Sequence, residues 1–411
     1  MINYKERTLA NGLKVIAHRD TSTPMAALNI LYKVGAKDED PSMTGFAHLF
    51  EHLMFGGTPA VPDFDTLVQN MGGDSNAFTT NDYTNYYLSF PKDNIERAFW
   101  LEADRMKGLA FTQKSLDVQK NVVIEEFKQR YLNQPYGDAW LKIRPVAYKV
   151  HPYKWATIGE KIEHIEKAEL QDVKDFFYRY YLPNNAILVF AGDVEEEKIF
   201  ALAEHYFGAI PSGEIKRQKY SFESPQSEYR DLNSDLKVPV KSFYQVYHMP
   251  ARNHKDYYAV DLLSDVLARG TSSRLYQKLV KENPLFAELS TYIMGSVDPG
   301  LFVVHAMLSD NVDIDEAKAA LQKEMDELLQ NGILENELKK VVHKSETSLV
   351  YSEMNVLNKA QNLAFFEMLE DASLVNTQQE KYNEVTSAEV LRVAKEILRN
   401  ENCTCLNYTN V

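Results

Sequence analysis

Cysteine is almost missing from this chain, with only Cys403 and Cys405 among 411 residues. A disulfide across so short a span is strained, so no bridge framework staples the fold. The simplest reading is a reduced, cytoplasmic protein, or a periplasmic one if a leader was removed. The opening MINYKERTLANGLKVIAHRD lacks the apolar core of a signal peptide. No apolar run approaches the ~20 residues that span a bilayer, so no membrane partner is expected. Positive charge is scarce too: 45 Lys and Arg stand against 59 Asp and Glu, a net −14. That balance excludes nucleic acid as a partner, because little here would release phosphate counterions. It suits a basic or neutral substrate better than an acidic one. Phosphate-cradling glycine loops and nucleophile elbows are also absent.

What is present is an ordinary globular composition, 45% hydrophobic and 25% charged, in a chain too long for one core. LKVIAHRD and MAALNILYKVGA read as strands, and SNAFTTNDYTNYYLSFP as a strand or hairpin. Helical patterns run from about Asp93 to Gly108, Gln113 to Leu132 and Ala168 to Tyr181, and NAILVFAGDV is a short buried strand. From about Pro211 to Val240 the chain turns polar. Beyond it the order repeats: SFYQVYHM, a helix from His254 to Ala268, strands FAELSTYIMGS and GLFVVHAML, several helices, and a last strand CTCLNYTN. Strands followed by grouped helices, twice, predict an α+β protein of two similar domains. Each should be a mainly antiparallel sheet with helices packed on one face. The expected boundaries are residues 1–215, a linker at 216–240, and 241–411.

The chemistry is concentrated in AHLFEHLMFGG, residues 47–57. His48 and His52 lie one helical turn apart, so both imidazoles project from one face, as two ligands to one zinc require. Glu51 adjoins the pair without having to be a ligand. A carboxylate there can take a proton from an attacking water and return it to a leaving amine. The order H-x-x-E-H is a zinc-peptidase signature in its own right. A helix pair cannot supply the third ligand. KNVVIEEFKQR offers Glu125 and Glu126 about 100° apart, and periodicity does not choose between them.

These residues resemble the inverzincin (HxxEH, M16-type) zinc metallopeptidases, the group containing insulin-degrading enzyme, pitrilysin and the mitochondrial processing peptidase. TLANGLKVIAHRD, GFAHLFEHLMFGGT, NAFTTNDYTNYY, HPYKWATIGEKIEHI, YYLPNNAILVFAGDV, TSSRLYQKLV and SVDPGLFVVHAML resemble family segments in the family's order. The resemblance implies Zn2+ held by His48, His52 and Glu126, with Glu51 as general base and water in the fourth place. It implies that the two domains form a clamshell around unfolded peptide substrates. It places Asn76 and Ala77 at an edge strand that binds peptide by strand addition. His151, in HPY, follows family usage and is structural.

Two departures qualify the resemblance. Two turns before the third ligand the family usually carries a second glutamate; here the residue is Gln119, which can hydrogen-bond but carries no charge. Active members also place an Arg and a Tyr in the C-terminal half, and the aligned positions here are Val280 and Ala287. Arg274 and Tyr276 nearby are ordinary structural residues. In the two-subunit branch one chain carries zinc and the other the Arg–Tyr pair, and this chain is similar to the zinc-bearing one. The expectation is a zinc-dependent endopeptidase subunit that works with a paralogous partner as a heterodimer, or as a homodimer. The alternative is a non-catalytic scaffold or assembly subunit of a peptidase heterodimer.

Overall fold

The computed structural model describes residues 1–410 and divides into two compact units. The first unit comprises Met1–Lys128, Trp155–Lys219 and Val350–Thr377; the second comprises Gln129–Lys154, Tyr220–Leu349 and Gln378–Val411.

The first unit is built on a six-stranded sheet. Its strands are β1 (Lys5–Thr8), β2 (Lys14–Arg19), β3 (Met25–Tyr32), β4 (Asp74–Thr79), β5 (Thr84–Pro91) and β6 (Ala186–Gly192). They lie in the order β1-β2-β6-β3-β5-β4. Only β2 and β6 run parallel; every other neighbouring pair is antiparallel. β6, AILVFAG, is buried at every position, which explains why it reads as a continuous apolar run rather than an alternating one. Its Ile187, Val189 and Ala191 meet Ala360, Leu363 and Ala364 of the helix Val356–Leu369. On the opposite face Phe190 meets Phe99 of the helix Ile95–Lys107. Helices therefore cover both faces of this strand, where one covered face was expected.

The second unit carries a five-stranded sheet of β7 (Arg230–Ser234), β8 (Ser242–His248), β9 (Phe286–Met294), β10 (Leu301–Leu308) and β11 (Cys403–Tyr408). Its order is β7-β11-β8-β10-β9, with β7 and β11 parallel and the remaining pairs antiparallel. Setting β1 aside, both sheets follow one path: first, fifth, second, fourth and third strand in chain order. The repeat of element order legible in the sequence is thus a repeat of topology. The helix Tyr257–Ala268 and the helix Ala139–Ala147 contribute to separate core clusters on this sheet. Cys403 and Cys405 are buried in β11 as free thiols.

The polar stretch expected to be a linker contains a strand, since β7 pairs with β11 across Arg230–Ser234. The units do part near Lys219, inside that stretch, but each also takes a segment from beyond the cut. The cause is burial. The apolar face of β6 is covered by residues 356–369, and Ile143 and Ala147 are buried with Leu406 and Tyr408 of β11. A composition shift marks where the chain becomes polar, not which distant helix covers a sheet.

Candidate metal centre

Helix α1, Phe46–Leu53, presents two faces. Phe46, Leu49, Phe50 and Leu53 are buried, with Phe50 packed among Phe176, Phe177 and Tyr181 at 4.7–5.9 Å between ring centres. That anchoring turns His48 and His52 to the other side, where their rings lie 4.8 Å apart and near perpendicular. The helix Gln113–Phe127 is started by Thr112, whose hydroxyl accepts the Ser115 N–H, and buries Leu116, Val123 and Phe127. Its register puts Glu126 against α1, with Oε2 at 3.7 Å from His48 Nε2 and 3.4 Å from His52 Nε2. Glu125 instead points outward and pairs with Lys128 at 2.8 Å. Gln119 is half-buried two turns earlier on the same helix.

The ligand atoms of His48, His52 and Glu126 all lie within 4.8 Å of one another, the one such group found among the described residues. A tetrahedral zinc site with bonds of about 2.1 Å puts its ligand atoms about 3.4 Å apart. The observed separations fit, and two imidazoles with one carboxylate form a donor set suited to Zn2+. All three side chains are partly exposed, so the centre is open to solvent on one side.

Glu51 lies beside this triad, and its Oε2 accepts the Thr79 hydroxyl at 2.5 Å. Thr79 ends β4, the edge strand of the sheet, two residues beyond Ala77. Asn76 is exposed on that edge, and its Oδ1 accepts the Ala77 N–H at 2.8 Å. Below lie Tyr86 and Tyr181, fully buried with their hydroxyls 3.2 Å apart. Burial first, with the Glu51 carboxylate among the neighbouring charges, keeps both phenols protonated.

The start of α1 has an unusual cap. Glu39, 2% exposed, accepts the N–H groups of Gly45 and Ala47, each at 2.8 Å. Burial pushes its carboxyl up to about 8, against the pull of those two donors. Neither Glu39 nor Thr79 was singled out from the sequence. Thr79 was legible as the residue two beyond Ala77 on a strand, hence on the same face; nothing in the sequence marks Glu39.

In the second unit Arg274 is engaged by Glu337 at 2.7 and 3.2 Å and donates to the Gly332 carbonyl, as a structural residue would. Val280 is packed partly buried and Ala287 is exposed on β9. His151 is 2% exposed, with Nδ1 accepting the Tyr153 N–H at 3.2 Å. No helix among the described residues is long and apolar enough to cross a membrane.

An α+β unit that gathers two histidines and a glutamate beside a further carboxylate has a donor set that metallopeptidases use. More specifically, the chain belongs to peptidase family M16. Residues 14–139 match the family model described as Insulinase (Peptidase family M16), and residues 167–345 match the Peptidase M16 inactive domain. The chain is 30% identical to the zinc protease PqqE of Helicobacter pylori over 98% of its own length and 91% of that protein. Among solved structures, a protease from Helicobacter pylori superposes over 100% of both chains with a TM-score of 0.93 and 27% identity. The periplasmic protease PqqL from Escherichia coli shares the fold at a TM-score of 0.80 and 17% identity, and this chain covers 48% of it.

Proposed function

We propose that the chain is the metal-bearing subunit of a zinc endopeptidase that cuts unfolded peptides. The observation that carries this reading is the convergence of His48, His52 and Glu126 while Glu51 is turned aside to Thr79. Bound by those three residues, zinc would supply Lewis acidity toward the scissile carbonyl and ease deprotonation of water. Glu51 takes the proton of the attacking water and delivers it to the leaving amine. Thr79 fixes the Glu51 carboxylate by its hydrogen bond. The peptide adds as a strand along β4, where Asn76 and Ala77 offer polar groups at an open edge, so main-chain contacts give affinity without demanding sequence. An incoming strand competes with the Asn76 side chain for the Ala77 N–H. Gln119, two turns before Glu126 on the same helix, brings no charge to the site where a second glutamate would.

Val280 and Ala287 carry no side-chain donor, so oxyanion stabilisation and substrate clamping fall to a partner chain bearing the Arg–Tyr pair. A scaffold role has less support, because a scaffold has no use for a carboxylate placed beside a ligand set. The test is metal analysis with a fluorogenic-peptide assay, run on the chain alone and with a homologous partner. Stoichiometric zinc, lost in Glu126→Gln and kept in Glu51→Gln without turnover, is the expected result. Zinc-free native protein would sink the site. Full activity of the chain alone would remove the partner.

A further inference from the structure

The first N–H groups of any α-helix have no partner within the helix and need an acceptor from outside. At the start of α1 the usual solution is barred. The N-cap is Gly45, with φ +89°, and a Cβ there would sit 2.7 Å from the Ile158 carbonyl oxygen. Ser, Thr, Asp and Asn, the normal capping residues, are thereby shut out of the position. The acceptor comes instead from six residues back. Glu39 uses both oxygens, Oε2 for the Gly45 N–H and Oε1 for the Ala47 N–H, at 2.8 Å each. Its neighbour Asp38 is occupied elsewhere, by Arg217 at 2.7 Å and the Gly35 N–H at 3.0 Å. Ala47 directly precedes His48, so the capped turn is the one that carries the first histidine. Above the value to which burial raises it, the Glu39 carboxylate also complements the positive end of the helix.

We propose that Glu39 is a positioning residue for the metal centre: by holding the first turn of α1 through two backbone N–H groups, it sets His48 against His52 and Glu126. This rests on the metal reading above. Loss of Glu39 leaves His48 on a frayed turn, so metal binding suffers beyond any change in the fold.

The test measures zinc affinity by chelator competition at pH 8.5, above the value to which burial pushes Glu39, together with the absorption spectrum of the Co2+-loaded protein. Glu39→Gln puts an amide donor against a backbone donor. It should weaken zinc about 10–100-fold, the range for residues that orient ligands, and alter the cobalt bands. Glu39→Asp keeps the charge but is too short to span both N–H groups, so it should fall between and serves if the Gln variant does not fold. Asp38→Asn, also buried but bonded to Arg217 and Gly35 rather than to the start of α1, should leave affinity and spectrum as in the wild type. Glu39 variants that match the wild type in both readouts overturn this inference alone. A wild-type chain that takes up no zinc overturns the metal reading and the inference with it.

Discussion

Glu102 and Arg105 form an ion pair whose side chains are each 1% exposed. Arg105 Nε and Nη2 donate to the two carboxylate oxygens at 2.8 and 2.6 Å. The guanidinium lies over the rings of Phe64, Tyr86 and Phe55 at 4.6, 4.8 and 5.5 Å. Tyr86 stands opposite Ala77 in the sheet, so the pair supports the floor of the candidate site. In Glu102→Leu a guanidinium that cannot deprotonate is left in an apolar pocket without its counter-charge. Breaking a buried pair this way costs about 3–5 kcal/mol. At roughly 2–4 °C per kcal/mol for a unit of this size, melting falls by about 6–20 °C. Arg105→Leu should behave differently, because the orphaned carboxyl can take up a proton, and burial already raises it from 4.5. A carboxyl raised in the folded state binds more protons there than in the unfolded chain, so stability falls as pH climbs from 4.5 toward the raised value. The Arg105→Leu deficit should therefore be smaller at pH 5 than at pH 8. The double Leu variant should recover most of the loss, since apolar replacement of a buried pair is often neutral. Calorimetry of the four proteins at both pH values decides it. A Glu102→Leu cost below about 1 kcal/mol, or a double variant as weak as the sum of the singles, refutes the reasoning.

Three further outcomes follow from other contacts. Thr79→Val removes the hydrogen bond to Glu51 and should lower kcat by about tenfold, the weight of roughly 1.4 kcal/mol, with zinc content unchanged and Thr79→Ser restoring the rate. In the docking of residues 356–369, Lys359 reaches Asp20 at 2.6 Å. Burial alone would raise the Asp20 carboxyl, but Lys359 and Ser22 outweigh it and hold it at about 2. That contribution is present above the unfolded value of 3.8 and is lost as pH falls toward 2, so Lys359→Met should flatten the acid limb of an unfolding-versus-pH curve. His305, stacked on Tyr244 at 4.2 Å, is pushed down to about 4 by burial. The unfolded chain takes up a proton the folded unit refuses, so stability drops between pH 6.5 and 4, and His305→Phe should remove that slope.

What the sequence disclosed depended on how far apart the cooperating residues are. His48 and His52 are one turn apart, so the helix itself guarantees their shared face, and a pattern of five residues suffices. The choice between Glu125 and Glu126 is not local. It is made by Val123 and Phe127 burying one side of their helix, and periodicity alone left it open. The strands were readable from β-branched and aromatic runs, while β7 was hidden in the polar stretch because an edge strand need bury only one of its faces. Gln119 was visible as a departure but its effect was not, since a missing charge acts through the site around it. Glu39 gave no signal at all. A loop carboxylate six residues before a glycine follows no periodic rule.

The helix Val356–Leu369 closes over a strand laid down at residues 186–192. During synthesis, at roughly 5–20 residues per second, the unit with the candidate metal centre must wait for most of the chain before its central strand is covered. Until then Ile187, Val189 and Ala191 form an open apolar strip, the kind of surface that recruits chaperones or aggregates. A chain truncated near residue 219 would carry every candidate ligand yet leave that strip permanently bare. The half that holds the two histidines is encoded first, yet its last segment arrives only with residues 350–377.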